Sequence, residues 1–199
     1  LWQGQPRRRA QDQRLARHLH LPLQSGSAAT LRRMARKTTP NDFARLVAAA
    51  REHIPEVAIT TDVIAGFPGE SESEFNESLA FVSQMNFAGG HVFTYSARPG
   101  TAAARMPDQV PSAIRKERNV LLREVFEQSA TLYRSRFVGK RLAVLWESSS
   151  RVEADRWRIS GLTDNYLRVT AQAPRQLWNQ ITPVQLTGLG DGGLVGVLG

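Results

Sequence analysis

Three times in the first hundred residues, a short apolar segment runs straight into a polar loop bearing Gly or Pro, and then into a helical pattern. The junctions are HLHLPLQSGS (18–27), TDVIAGFPGE (61–70) and HVFTYSARPGT (91–101). Strands that alternate with helices pair in parallel, because the intervening helix carries the chain back to the end from which it set out. In parallel sheets and barrels, ligands sit at the loops that leave the C-terminal strand ends. A chain that places its unusual residues at such positions in succession is built around a small-molecule site.

The pattern predicts strands over 18–23, 57–64 and 91–95. Between the first two lie a short helix carrying Leu31 and Met34, and a longer one with Phe43, Leu46, Val47, Ala50 and Ile54 at helical spacing. Thr39 reads as the cap of the longer helix and Pro40 as its first-turn residue. Glu70, Glu72 and Glu74 mark the next helix start, where the helix dipole favours acids, and Phe75, Leu79, Val82 and Met85 form its apolar stripe. A long helix follows over 111–137, with Ile114, Leu121, Val125 and Leu132 expected on its buried face. Beyond it the pattern changes to short alternating runs at 141–146, 156–160, 165–170, 181–186 and 194–198, which predict a small antiparallel barrel. Residues 1–13 show no periodicity and read as a disordered or atypical lead-in. The domain boundary falls near residues 137–139.

The net charge of +8 is unevenly placed. Residues 1–52 hold 11 Lys/Arg against 3 Asp/Glu, whereas 53–137 hold 8 against 10. A basic segment suits a polyanion such as RNA, and equally a solvated surface that favours arginine. No apolar run approaches the ~20 residues that span a bilayer, and no membrane partner is expected; the expected location is cytoplasmic. The chain has no cysteine, which excludes disulfides and thiolate metal ligands.

The loop Gly66-Phe67-Pro68-Gly69-Glu70 has the glycine content of an anion cradle, but its glutamates would repel a phosphate. His18 and His20 lie two apart on a strand and so share a face; without a third ligand they are a weak metal pair. Gln24, Ser25 and Ser27 can orient a polar ligand or serve as ordinary loop residues. Asp62 is an acid in an apolar strand, which calls for a polar cavity or a structural partner. With His91 it is the candidate acid/base pair if the chain is an unrelated α/β enzyme. Tyr95, Ser96, Arg98 and Thr101 suit a nucleotide or carboxylate, or simply a turn set by Pro99-Gly100. In the last part of the chain, Trp146, Trp157, Tyr166 and Trp178 are interleaved with Lys140, Arg141, Arg156, Arg158, Arg168 and Arg175, a mixture suited to stacking bases and holding phosphates or, for some aromatics, to filling a small core.

Taken together, the junction motifs resemble the radical S-adenosylmethionine methylthiotransferases of tRNA, the MiaB-like family. The fold class expected is α/β, part of a radical SAM TIM-like barrel over 14–137, followed over 138–199 by a small all-β OB-like TRAM barrel. HVFTYSARPGTAAARMPDQVP (91–111), Arg115-Lys116 and GLTDNYLRV (161–169) are similar to the branch acting on N6-threonylcarbamoyladenosine; the isopentenyladenosine branch shares a YSxRPGTxAA-like segment.

The resemblance implies transfer of a methylthio group to C2 of the modified adenosine beside the anticodon. It also implies S-adenosylmethionine and two 4Fe-4S clusters in the full-length family. It places His20, Gln24, Ser25, Ile64, Gly66 and Tyr95 at the S-adenosylmethionine pocket, and Arg98, Lys140, Arg141, Asn165, Tyr166 and Arg168 against tRNA. No metal ligand and no catalytic residue is expected in this chain. The cluster cysteines are absent, so the chain reads as the C-terminal portion of such an enzyme, inactive alone and partnered by a missing N-terminal half. The alternative is a non-catalytic TRAM-containing RNA-binding protein.

Overall fold

A computed structural model describes residues 16–199. The lead-in expected over 1–13 lies outside the described residues. The chain divides into two compact units.

The first unit comprises Leu19–Glu52 and Ile59–Ala130. Its sheet has the order β1-β2-β3, from β1 (His18–His20), β2 (Ala58–Ala65) and β3 (Gly89–Thr94). β2 and β3 pair in parallel, with Asp62 opposite His91 and Ile64 opposite Phe93. β1 is shorter than expected because the chain leaves the ladder after His20 and rejoins β2 through a single parallel bridge, Gln24 to Val63. Thr61 holds that detour: its hydroxyl donates to the Leu21 carbonyl (2.7 Å) and accepts from the Leu23 amide (3.0 Å).

The helices are α1 (Ala28–Arg33), α2 (Pro40–His53), α3 (Glu72–Met85) and α4 (Ser112–Ser135). Thr39 caps α2, its hydroxyl accepting from the Asp42 amide at 3.2 Å. α3 starts later than the glutamates suggest. Ser71 is its N-cap and forms a capping box with Glu74, which leaves Glu70 in the preceding loop. Alternation along β2 buries Ile59, Thr61, Val63 and Ala65 on one face. Phe43, Phe87 and Phe126 form the aromatic part of the core. Phe126 fills the space a side chain at Gly90 would need, since a Cβ there would lie 2.3 Å from its ring.

The expected face of α4 is corrected. Ile114, Leu121 and Leu132 are exposed, and the buried row is Arg118, Leu122, Phe126, Ala130 and Tyr133. The apolar stripe lies about a quarter-turn away from a row that buries an arginine and a tyrosine, both chemically partnered.

The second unit comprises residues 16–18, His53–Ala58 and Thr131–Gly199. β4 (Arg141–Glu153), β5 (Arg156–Thr163), β6 (Arg168–Ala173), β7 (Ile181–Gly190) and β8 (Gly193–Leu198) close into a barrel of order β4-β5-β6-β8-β7. It is not wholly antiparallel as expected: β6 and β8 pair in parallel. Trp146 fills the interior with Val144, Ile159, Val169, Val184 and Leu186, and its indole N–H donates to Thr182 Oγ1 at 2.8 Å. Gly161 permits the close approach of β5 to β4; a Cβ there would lie 2.1 Å from the Leu145 carbonyl oxygen.

Candidate functional site

The uncovered face of the sheet carries Thr60, Asp62 and Ile64 from β2, with His91 and Phe93 beside them on β3. Asp62 stands between two imidazoles. Its Oδ2 lies 3.2 Å from His20 Nε2 and its Oδ1 lies 3.3 Å from His91 Nδ1. His20 Nδ1 meets Thr60 Oγ1 at 3.1 Å. The acid in an apolar strand is thus partnered by histidines, and no arginine is needed to account for it. The pair Asp62–His91 does come together, and His20 joins it. No group of three or more His, Cys, Asp or Glu among the described residues is arranged to hold a metal ion.

The strand-end loops spend most of their polar groups on the chain itself. After β1, the Gly26 amide donates to Ser78 Oγ (2.8 Å), the Ser27 hydroxyl to Glu77 (2.9 Å) and the Ser27 amide to Ser25 Oγ (3.2 Å). Ser25 is buried inside this net. Gln24 is held at φ 72°, its backbone clamped between the Asp62 carbonyl and the Ile64 amide. After β2, Gly66 turns at φ 75° and its amide donates to Glu70 Oε1 at 3.1 Å. Glu70 is buried against Arg118, whose Nη1 donates to Oε1 at 2.6 Å and to the Glu70 carbonyl at 2.9 Å. Burial pushes the Glu70 carboxyl up against the pull of that guanidinium. The anion cradle is therefore excluded: the amide it would need is taken by a carboxylate.

After β3, the Tyr95 amide pairs with the Ala65 carbonyl and Arg115 donates to the Tyr95 carbonyl. The Tyr95 ring packs edge-on against Phe67 at 5.4 Å. Its hydroxyl and Arg115 Nε are buried without hydrogen-bond partners among the described residues. Arg98 is exposed on the following loop, its carbonyl fixed by the Thr101 hydroxyl at 2.8 Å.

In the barrel unit the expected RNA contacts separate into two groups. Arg141, Tyr166 and Arg168 are exposed. Tyr166 adopts φ 59° and stacks on His18 at 4.4 Å between ring centroids. Lys140 is also exposed but is engaged within the chain, and Asn165 is buried. Lys140 pairs with Glu56 and lies over the Phe137 ring. Asn165 is buried; its amide donates to the Tyr133 hydroxyl (2.9 Å) and its carbonyl accepts from Thr163 Oγ1 (2.6 Å). Burial pushes the Tyr133 hydroxyl up to about 12. Arg17 bridges Glu56 (3.2 Å) and Asp164 (2.6 Å). Hydrogen bonds from Lys140 and then Arg17 hold the Glu56 carboxyl below the ordinary carboxylate range. Nothing in the composition separates the paired Lys140 and the buried Asn165 from Arg141, Tyr166 and Arg168.

Residues 9–82 match the model of the radical SAM superfamily. The threonylcarbamoyladenosine tRNA methylthiotransferase MtaB of Bacillus subtilis is 38% identical over 173 residues, 87% of this chain and 38% of that protein. The tRNA-2-methylthio-N(6)-dimethylallyladenosine synthase of Acetivibrio thermocellus is 42% identical over 139 residues, 70% of this chain and 29% of that protein. This chain is a relative of the tRNA methylthiotransferases. It spans about a third of the length of these curated relatives. Among solved structures, coproporphyrinogen III oxidase (HemN) of Escherichia coli, a radical SAM enzyme, superposes with a TM-score of 0.46 at 22% identity, over 62% of this chain and 28% of that one.

Radical SAM chemistry rests on an iron–sulfur cluster held by cysteine thiolates. None of the 199 residues is cysteine, so the residues of this methylthiotransferase relative do not fit a cluster. They do fit a hydrogen-bonding organic ligand at the strand ends, where the buried Tyr95 hydroxyl lacks a partner among the described residues. No helix among the described residues is long and apolar enough to cross a membrane.

Proposed function

We propose that this chain contributes the substrate-side surfaces of a tRNA methylthiotransferase: a strand-end pocket for S-adenosylmethionine and a TRAM-like barrel that holds the tRNA. The observation that carries the reading is the extent of the likeness to MtaB, which at 173 residues is longer than either compact unit and so joins the sheet and the barrel in one ancestry.

In the pocket, Ile64 supplies an apolar wall and the Tyr95 hydroxyl a hydrogen bond. Ser25 and Gly66 act through the backbone shape they impose, because their polar groups are engaged; Gln24 has its backbone engaged and offers its side-chain amide. Bound S-adenosylmethionine would supply the methyl group and the 5′-deoxyadenosyl fragment. Cluster ligands would have to come from outside this sequence. On the barrel, Arg141 and Arg168 meet phosphates and Tyr166 stacks on a base. The finer reading is a threonylcarbamoyladenosine substrate in the cytoplasm. The dimethylallyladenosine alternative is favoured by the higher identity, over a shorter span, to the Acetivibrio enzyme.

The test is tRNA binding by the chain as a function of salt. Arg141→Ala with Arg168→Ala should lower the salt slope by about 2, roughly 0.9 per phosphate contact. An unchanged slope would remove the barrel from the interface. Competition between tRNAs carrying each modified adenosine discriminates the branches.

A further inference from the structure

The uncovered sheet face holds a hydrogen-bond relay of which the pocket reading takes only His20 and the barrel reading none. Thr60, His20, Asp62 and His91 form a continuous chain of contacts at 3.1, 3.2 and 3.3 Å. An ionised carboxylate only accepts, so each histidine nitrogen facing Asp62 must donate. In the neutral imidazole, Nδ1 of His91 therefore carries the proton toward Asp62, and Nε2 is left with a lone pair. No hydrogen bond from the described residues reaches Nε2. The same logic puts the proton of His20 on Nε2 and turns Nδ1 toward the Thr60 hydroxyl. His20 thus fixes the carboxylate, and the carboxylate fixes His91.

His91 is 75% exposed at its side chain. The neighbouring Phe93 is 53% exposed, its ring 6.4 Å from the imidazole. A large apolar ring left uncovered beside an oriented acceptor matches a flat heterocycle that presents an N–H edge.

We propose that His91 and Phe93 form a recognition site for the substrate nucleobase: the base lies on Phe93 and donates an N–H to His91 Nε2, while Asp62 and His20 are positioning residues. This rests on the tRNA reading above. Adenine offers the exocyclic N–H required, and it is present both in an RNA adenosine and in S-adenosylmethionine; the site is assigned to the RNA.

The test uses the full chain, labelled with ¹⁵N, with His91→Gln as the assignment control. Two-bond ¹⁵N–¹H spectra should show His91 protonated at Nδ1 and bare at Nε2. Asp62→Asn should abolish that single tautomer, because an amide oxygen cannot accept from both imidazoles in the same way. The probes are a short uridine-rich RNA with one internal adenosine, the same RNA without it, and S-adenosylmethionine alone. The adenosine RNA should shift His91 Nε2, and Phe93→Ala should weaken its binding about tenfold, within the range for losing one stacked base. His91→Gln and Phe93→Ala are at exposed positions and leave the core intact.

A tautomer with the proton on Nε2 overturns the proposal whatever the RNA does. So does RNA binding that His91→Gln and Phe93→Ala leave unchanged, and in that case the tRNA reading stands. A Nε2 shift produced by S-adenosylmethionine and not by RNA reassigns the site to the cofactor and also overturns it. Absence of any RNA binding sinks the tRNA reading and, with it, this assignment.

Discussion

Glu70 and Arg118 form the most deeply buried ion pair described in the molecule, with side chains 2% and 9% exposed. The two halves should not be equally costly to remove. Glu70→Gln keeps an acceptor for the Gly66 amide but leaves a guanidinium buried against a neutral amide. Arginine does not deprotonate, so the charge stays, and breaking the pair should cost about 3 kcal/mol, the lower end for a buried pair that loses one partner. The Phe75 ring, 5.1 Å from the guanidinium carbon, offsets only a fraction of this. Arg118→Met leaves a carboxyl that can take up a proton, and burial already pushes it in that direction. Its cost at neutral pH should be about 1–2 kcal/mol.

The pH dependence separates the two variants. A carboxyl whose folded pKa is raised contributes stability that is present below its ordinary value of 4.5 and is lost as pH rises through the folded value. The Arg118→Met deficit should therefore shrink as the solution is acidified, while the Glu70→Gln deficit should not. Urea unfolding followed by circular dichroism at 222 nm reads this unit, since α1, α2 and most of α4, with all of α3, lie within it. Equal costs for the two variants, or costs under about 1 kcal/mol for both, would refute the reasoning, because a pair this buried cannot be screened by solvent.

Three further outcomes are expected. Glu56 has a depressed carboxyl pKa, so its contribution is complete above 4.5 and is lost as pH falls through the folded value; Glu56→Gln should flatten the acid limb of barrel unfolding, read by tryptophan fluorescence, at a cost under about 1 kcal/mol because its partners are partly exposed. Asn165→Ala should destabilise the barrel by about 2 kcal/mol, the price of stranding buried partners, whereas Tyr166→Ala should cost less, about 1 kcal/mol for the lost stack on His18, and lower RNA affinity. Alkaline titration of tyrosine absorbance should show one step near 12 from Tyr133, absent in Tyr133→Phe.

The order of strands and helices in the first unit was legible because β-branched runs, capping signals and Gly/Pro turns agree with one another. Thr39-Pro40 marked the start of α2 to the residue. The face of α4 was not legible. Apolar spacing selected Ile114, Leu121 and Leu132, but burial follows Arg118, Leu122, Phe126 and Tyr133, and only the partners of Arg118 and Tyr133 make those polar residues acceptable inside. The start of α3 was misread for a related reason: Glu70 looks like a first-turn acid, yet its carboxylate is committed to Gly66 and Arg118. The meeting of Asp62 with His91 followed from their strands, but the part of His20 depends on a register that no local pattern encodes.

The distribution of satisfied and unsatisfied groups says where a ligand can act. At the loops after β1 and β2, the Gly26 and Gly66 amides and the Ser27 hydroxyl, which could have met a ligand, are answered from within by Ser78, Glu70 and Glu77. Those glycines and serines therefore serve shape, and substitutions there should be felt first as loss of stability. Two places differ. The Tyr95 hydroxyl is buried without a partner among the described residues, and His91 offers a nitrogen whose lone pair is fixed by a carboxylate and met by nothing described. A buried orphan costs stability, about 1–3 kcal/mol, and an oriented imidazole beside an uncovered Phe93 adds none. Arg115 Nε and, in the barrel, the Ser160 hydroxyl are further buried atoms without a partner among the described residues. Groups that fold no better for being there are the ones a ligand would meet, and on the sheet these are the Tyr95 hydroxyl at the end of β3 and His91 on its open face.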